Sequence, residues 1–244
     1  MALNIAVIGG WNIPVSVMKP LLLDLETQCR CPVQMLDYPG YESGYDGSQD
    51  WLIPALVERW KPYLNTETVV VGWSLGGMIA LSLAACLPLA GVVALGSNVQ
   101  FQGSAPWQMS SAMFRSFSRQ VRSDYIQSRN TFIDLVTAGD SRPGSALKQQ
   151  LIAAYDTFRP DLKSINDSLA MLGELDVAQT IGTVPQLWIF AKDDALVPVT
   201  CVSQIVPQAM THIRVVSGGH GFPFSAPIGR EIHQWCATML AKQV

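Results

Sequence analysis

The sequence predicts an α/β architecture: a mostly parallel sheet flanked by helices, with a helical cap inserted before the last strands. Three observations carry this. Continuous apolar runs such as Asn4–Ile8, Thr68–Val71 and Gly91–Gly96 alternate with helix-forming stretches, the pattern of a parallel sheet covered on both faces. From Ser97 to about Thr180 helical patterns follow one another with no convincing strand, and a buried strand resumes only at Pro185–Phe190. The chain of 244 residues, 49% hydrophobic and 14% charged, has the length and apolar content for one core carrying one large insertion. The expected division is a core of residues 1–96 and 181–244 and a cap of residues 97–180.

Along the chain, Asn4–Ile8 leads into Gly9-Gly10-Trp11-Asn12, a tight loop whose glycines let the backbone approach a bound group closely. Pro20–Thr27 reads as a helix, Gln34–Asp37 as a strand and Tyr38–Gly44 as a turn-rich loop. Ser48–Leu64 is expected to be helical, with Ser48 or Asp50 as N-cap and Leu52, Leu56 and Trp60 on one face. Thr68–Val71 is a β-branched strand, Met78–Ala85 a helix and Gly91–Gly96 another buried strand. Beyond the cap come Pro185–Phe190, Ile213–Val216 and a last helix over Ala226–Ala241.

The stretch between Val71 and Met78 carries the chemistry. A strand that turns at once into a helix leaves no room for side chains at the corner, and Gly72-Trp73-Ser74-Leu75-Gly76 surrounds one protruding serine with small residues. This is the G-x-S-x-G pattern of a nucleophile elbow, in the strand-then-helix setting the pattern requires. A serine hydroxyl is a poor nucleophile at neutral pH, so it needs a base and a carboxylate behind the base. Of the three histidines, His212 opens a strand and His233 lies inside a helix, whereas His220 sits in the glycine-rich loop Ser217–Pro223 after the last strand. His220 is therefore the expected base. Asp193 and Asp194, at the carboxyl end of the Pro185–Phe190 strand, are both placed to orient it. The backbone N–H groups of Trp11 and Leu75 are the expected oxyanion hole.

The bulk numbers exclude other classes. A net charge of −3 argues against general nucleic-acid binding. Cys29, Cys31, Cys86, Cys201 and Cys236 are odd in number and scattered, so neither a zinc site nor a full disulfide framework is expected, and Cys86 and Cys236 read as small core residues. No secretory signal or membrane span is read, the expected compartment is the cytoplasm, and no metal or organic cofactor is implied.

Taken together, Gly10-Trp11, Val71–Gly77, Asp194–Pro198, Gly219-His220 and Pro223-Phe224 resemble the α/β-hydrolase-fold serine esterases, and among them the pimeloyl-acyl-carrier-protein methyl ester esterases of biotin synthesis. In that family the aspartate stands four residues before a proline, which selects Asp194 ahead of Pro198 over Asp193. One departure is that the early loop commonly reads His-Gly there and Gly9-Gly10 here, leaving open what anchors it. The resemblance implies a carboxylic ester substrate, small or carrier-bound, and a possible acyl carrier protein as partner. Carbon–carbon bond hydrolases and lactonases acting on free small molecules use the same triad. Carrier docking would need a basic cap surface. Arg115, Arg119, Arg122 and Arg129, read as one helix at about 100° per residue, fall within roughly 80° of one face, with Phe114, Phe117, Val121 and Tyr125 opposite. Trp11 and Trp73, with Met113, Phe114 and Phe117 of the cap, are the expected acyl contacts.

Overall fold

A computed structural model describes residues 3–41, 51–140, 146–205 and 208–241. Its sheet has six parallel strands in the order β2-β1-β3-β4-β5-β6: β1 Asn4–Ile8, β2 Val33–Leu36, β3 Thr68–Trp73, β4 Gly91–Leu95, β5 Gln186–Ala191 and β6 Thr211–Val216. Strands β3, β4 and β5 are buried along their whole length, which is why their sequences show no polar alternation. The chain leaves β1 towards β2 and then returns past β1 to β3, so the strand order reverses between β1 and β3. With right-handed crossovers this reversal puts α1 (Val15–Cys29) on one face and α2 (Ile53–Trp60) and α3 (Leu75–Ala84) on the other. α2 packs on α3, and α1 packs on the last long helix, α9 (Gly229–Ala241). A crevice at the carboxyl ends of β1 and β3, where order reverses, is where open α/β sheets bind ligands.

Several boundaries differ from the sequence expectation, each for a local reason. α1 begins at Val15 and runs through Pro20, because burying Val17 and Met18 as well as Leu21 and Leu25 outweighs the hydrogen bond that proline removes. The 48–64 helix is shorter: α2 starts at Ile53 with Leu52 as its cap residue, and Pro62 turns the end into a 3₁₀ turn over Lys61–Tyr63. Ser48 and Asp50 lie outside the described residues, and the cap position falls beyond them. Leu56 and Trp60 are buried, whereas Leu52 is exposed. Cys236 is buried, but Cys86 follows the end of α3 and is exposed; all five cysteines are free. The chain between Ser217 and the last helix forms the short α8 (Phe222–Ser225), and Ala226 ahead of Pro227 is extended, so α9 starts at Gly229.

Between β4 and β5 the described residues form four α-helices, α4 Ser111–Ser123, α5 Tyr125–Thr137, α6 Ala146–Thr157 and α7 Leu162–Glu174, and a 3₁₀ turn over Ala178–Thr180. Two isolated bridges, Gln100 with Asp176 and Gln102 with Met109, tie their flanks. The single basic helix expected across residues 115–129 does not form. Asp124 takes φ −148° and ψ 81°, ends α4, and caps α5 by accepting the Gln127 N–H. A short carboxylate competes well for helix-end donors, and here it splits one expected helix into two. No helix among the described residues is long and apolar enough to cross a membrane.

Candidate active site

Ser74 stands at the corner between β3 and α3 with φ +56° and ψ −121°, a backbone conformation that non-glycine residues rarely take. Its neighbours explain how the turn closes. A Cβ on Gly72 would come within 2.2 Å of the Gly76 carbonyl oxygen, and one on Gly76 within 2.3 Å of the Ile8 carbonyl oxygen, so only glycine lets α3 sit this close to the strands. The Ser74 N–H donates to Leu95 O at 2.8 Å, and its carbonyl accepts from Ser97 Oγ at 2.7 Å. The corner is thus pinned across to β4 while the side chain stays partly exposed.

His220 lies in the loop after β6, and its side chain is completely buried. Its Nδ1 is 2.8 Å from Asp194 Oδ2. The other carboxylate oxygen, Oδ1, accepts from the Leu196 and Val197 N–H groups at 2.8 Å each, which is what the Asp-Ala-Leu-Val turn is for. Because Asp194 is an acceptor, the network places the imidazole proton on Nδ1 and leaves Nε2 with its lone pair. Nε2 is buried and has no hydrogen-bond partner among the described residues, Ser74 Oγ included. Gly96, directly after the residue that receives the Ser74 N–H, would with a Cβ lie 3.4 Å from both Asp194 Oδ2 and His220 Nδ1. Ser74 and the His220–Asp194 pair therefore flank the same point at the end of β4. Asp193, by contrast, is exposed; His233 is exposed, and His212 is half-buried on β6, lining a hollow with α9.

Trp73, an expected acyl contact, does not line the cavity at Ser74. Its indole is fully buried, donates to the His220 carbonyl at 3.0 Å, and lies edge-on to Phe224, with centroids 4.8 Å apart. It supports the histidine loop from below. Trp11, in contrast, faces a cavity of about 200 Å³ that also contains Ser74. A Cβ on Gly10 would be 3.2 Å from Ser74 Cβ, so the early loop lies against the serine. The Trp11 amide donates to no group among the described residues, and the Leu75 N–H opens α3, where a helix has no carbonyl to offer it. The anchoring left open by the Gly9-Gly10 sequence comes from elsewhere: the Tyr38 hydroxyl donates to Gly9 O at 2.7 Å and the Trp11 indole to Ile165 O of α7 at 2.9 Å.

Of the expected cap contacts, Met113 and Phe117 line this cavity and Phe114 does not; Phe114 packs against Phe101. Phe132, Leu135, Leu169, Leu172 and Leu196 also line it, and nothing in their sequence setting distinguishes them from core residues. Apart from Ser74 every lining side chain is apolar or aromatic. Arg115, Arg119 and Arg122 are exposed on α4, the helix that brings Met113 and Phe117 to the cavity. Arg129 belongs to α5 instead, half-buried with its guanidinium 5.4 Å from the Tyr155 ring centroid, so the basic face has three members and not four.

Other reactive groups nearby are subdued. Burial, with Asp194 adding to it, pushes the Cys201 thiol up to about 12, so it is protonated at neutral pH and no competing nucleophile. Among the described residues no three His, Cys, Asp or Glu side chains group as metal ligands. A second hollow, of about 230 Å³ between β6 and α9, shares no residue with the serine cavity.

The sequence profile of the alpha/beta hydrolase family matches residues 9–230. Over 228 residues, 90% of this chain and 88% of the relative, the chain is 26% identical to the pimeloyl-[acyl-carrier protein] methyl ester esterase of Xylella fastidiosa strain M12. In structure it resembles a bromoperoxidase from Bacillus anthracis, with a TM-score of 0.79 and 16% identity over 99% of this chain and 92% of that one. It also resembles an esterase from Exiguobacterium antarcticum, with a TM-score of 0.75 and 16% identity over 99% and 91% of the two chains. At these identities the structural likenesses speak for the fold.

Proposed function

The chain belongs to the alpha/beta hydrolase family and is a carboxylic ester hydrolase, and from that premise we propose that it cleaves a medium-chain acyl ester, pimeloyl-carrier-protein methyl ester, through Ser74, His220 and Asp194. In this reading Ser74 Oγ attacks the ester carbonyl while His220 Nε2 takes its proton. The Trp11 and Leu75 N–H groups receive the oxyanion, and Asp194 holds the imidazolium that forms. Collapse breaks the acyl–oxygen bond, His220 returns the proton to the leaving methoxide, and methanol departs. Water activated by His220 then releases the acid from Ser74. The observation that carries the reading is His220 Nε2: a buried ring nitrogen without a hydrogen-bond partner among the described residues, its sister nitrogen fixed by a fully bonded carboxylate, at the same end of the sheet as a serine held in a strained corner. Apo sites often have loose serine–histidine contacts that tighten with substrate.

The cavity, apolar apart from Ser74, favours a carrier-linked substrate. A free half-ester would bring a carboxylate into an apolar lining, whereas a chain joined to a carrier as a thioester is neutral at its far end. The three exposed arginines on α4 suit an acidic carrier. A cytoplasmic setting goes with the five free cysteines. The test is hydrolysis of pimeloyl-carrier methyl ester by the purified protein, with growth of a biotin-requiring strain lacking its own esterase. The intact gene should restore growth and Ser74→Ala should not; equal growth with both removes the reading. A second reading, a small neutral ester without carrier, is favoured by the size of the cavity alone. It predicts equal turnover of free and carrier-bound esters.

A further inference from the structure

Asn12, directly after Trp11, is held at three polar groups by three tyrosines from three parts of the chain. Its N–H donates to Tyr41 Oη at 2.8 Å; its Oδ1 accepts from the Tyr125 hydroxyl, at the start of α5, at 2.8 Å; and its carbonyl accepts from the Tyr155 hydroxyl of α6. Tyr41 is in turn bonded to Ser168 of α7 at 3.0 Å. With the Tyr38 bond to Gly9 O, the peptides on both sides of the Gly10–Trp11 peptide are tied, and that peptide is the one whose N–H is left to donate. Asn12 itself is fully buried at φ +54° and leaves Nδ2 unpartnered among the described residues. A left-handed backbone and an unsatisfied buried amide both cost stability, and a residue kept at such cost beside a reacting centre is kept for position.

We propose that Tyr125 and Tyr155 are positioning residues for ester hydrolysis: through Asn12 they aim the Trp11 amide at the oxyanion, so the centre is complete only when α5 and α6 are seated over the sheet. This rests on the Ser74 reading above. Burial pushes Tyr125 up to about 12 and Tyr155 well above the usual tyrosine range, so both hydroxyls keep their protons and donate throughout the neutral range.

The experiment compares Tyr125→Phe, Tyr155→Phe and Asn12→Gly with wild type on p-nitrophenyl butyrate and on a boronic-acid transition-state analogue. Asn12→Gly admits the left-handed backbone and keeps the groups of both main-chain bonds, and removes the Tyr125 acceptor together with the unpartnered Nδ2. Tyr155→Phe should lower kcat by about 10-fold to 100-fold with KM within about twofold, and weaken the analogue by the same factor. Tyr125→Phe and Asn12→Gly should each lower kcat, and their double variant should be no worse than either, because both delete one bond. Circular dichroism and melting on each variant set the assay temperature well below unfolding. A change in KM alone, or an unchanged kcat in folded Tyr155→Phe while Ser74→Ala is inert, overturns the positioning role by itself. Retained turnover in Ser74→Ala overturns the serine reading, and this one with it.

Discussion

The two sides of the candidate site are held by different means. The Ser74, His220 and Asp194 side chains hang from the carboxyl ends of β3, β6 and β5, where strand register and bonds of about 2.8 Å set each position. The cavity wall opposite is made of apolar side chains from α4, α5 and α7, each replaceable by another of similar volume. Proton transfer needs tenths of an ångström, which backbone geometry supplies, whereas an acyl chain needs only dry volume. The early loop joins the two regimes: it begins at the end of β1, yet its Asn12 is bonded to tyrosines carried by α5 and α6.

That contrast can be broken by experiment, beginning where the expected effect is largest. Ser74→Ala should reduce kcat on any ester by roughly 10⁴-fold or more while leaving the melting temperature close to wild type; a smaller loss would mean the strained corner serves packing. Asp194→Asn, which exchanges the carboxylate for an amide and disturbs the tautomer of His220, should cost on the order of 10⁴-fold in kcat with little change in KM. Asp193→Asn, on the exposed neighbour, should cost almost nothing, and the reverse ranking would reassign the acid.

On the other side of the comparison the effects shrink. Replacing Arg115, Arg119 and Arg122 together by Glu should lower kcat/KM for a carrier-bound ester by about tenfold or more at low salt and leave a free short-chain ester unaffected. Loss on both substrates would show that α4 is distorted and not merely recharged. Leu135→Ala, on the cavity wall, should shift the preference between neighbouring acyl chain lengths by about 1 kcal/mol with kcat on the best ester within a few-fold. A loss of orders of magnitude there would erase the distinction between the two walls.

How much of this was legible beforehand follows the same line. The elbow could be read because its glycines are forced by contacts within a few residues and one strand away, and His220 because elimination among three histidines left the only one in a glycine-flanked loop. The choice of Asp194 over Asp193 came from resemblance; the structure separates them by burial, one bonded to His220 and the other facing solvent. Trp73 could not be placed from sequence, because an aromatic beside the elbow serine reads the same whether it faces the cavity or props the histidine loop, and its bond to the His220 carbonyl puts it under that loop. The arginine stripe failed at Asp124, where a local cap overrode a periodicity that had run on through it.

From its residues alone this chain determined a parallel sheet, a serine at a sharp corner and a histidine in a late loop, because each is dictated by neighbours close in sequence. The tertiary structure decided which apolar side chains enclose the serine, that three arginines and not four share a face, and that tyrosines from three separate segments converge on Asn12. The arginine split turned on a local cap at Asp124, but the others depend on contacts between separate elements, such as Tyr155 with Asn12, and such pairings leave no periodicity or spacing in the sequence to be read.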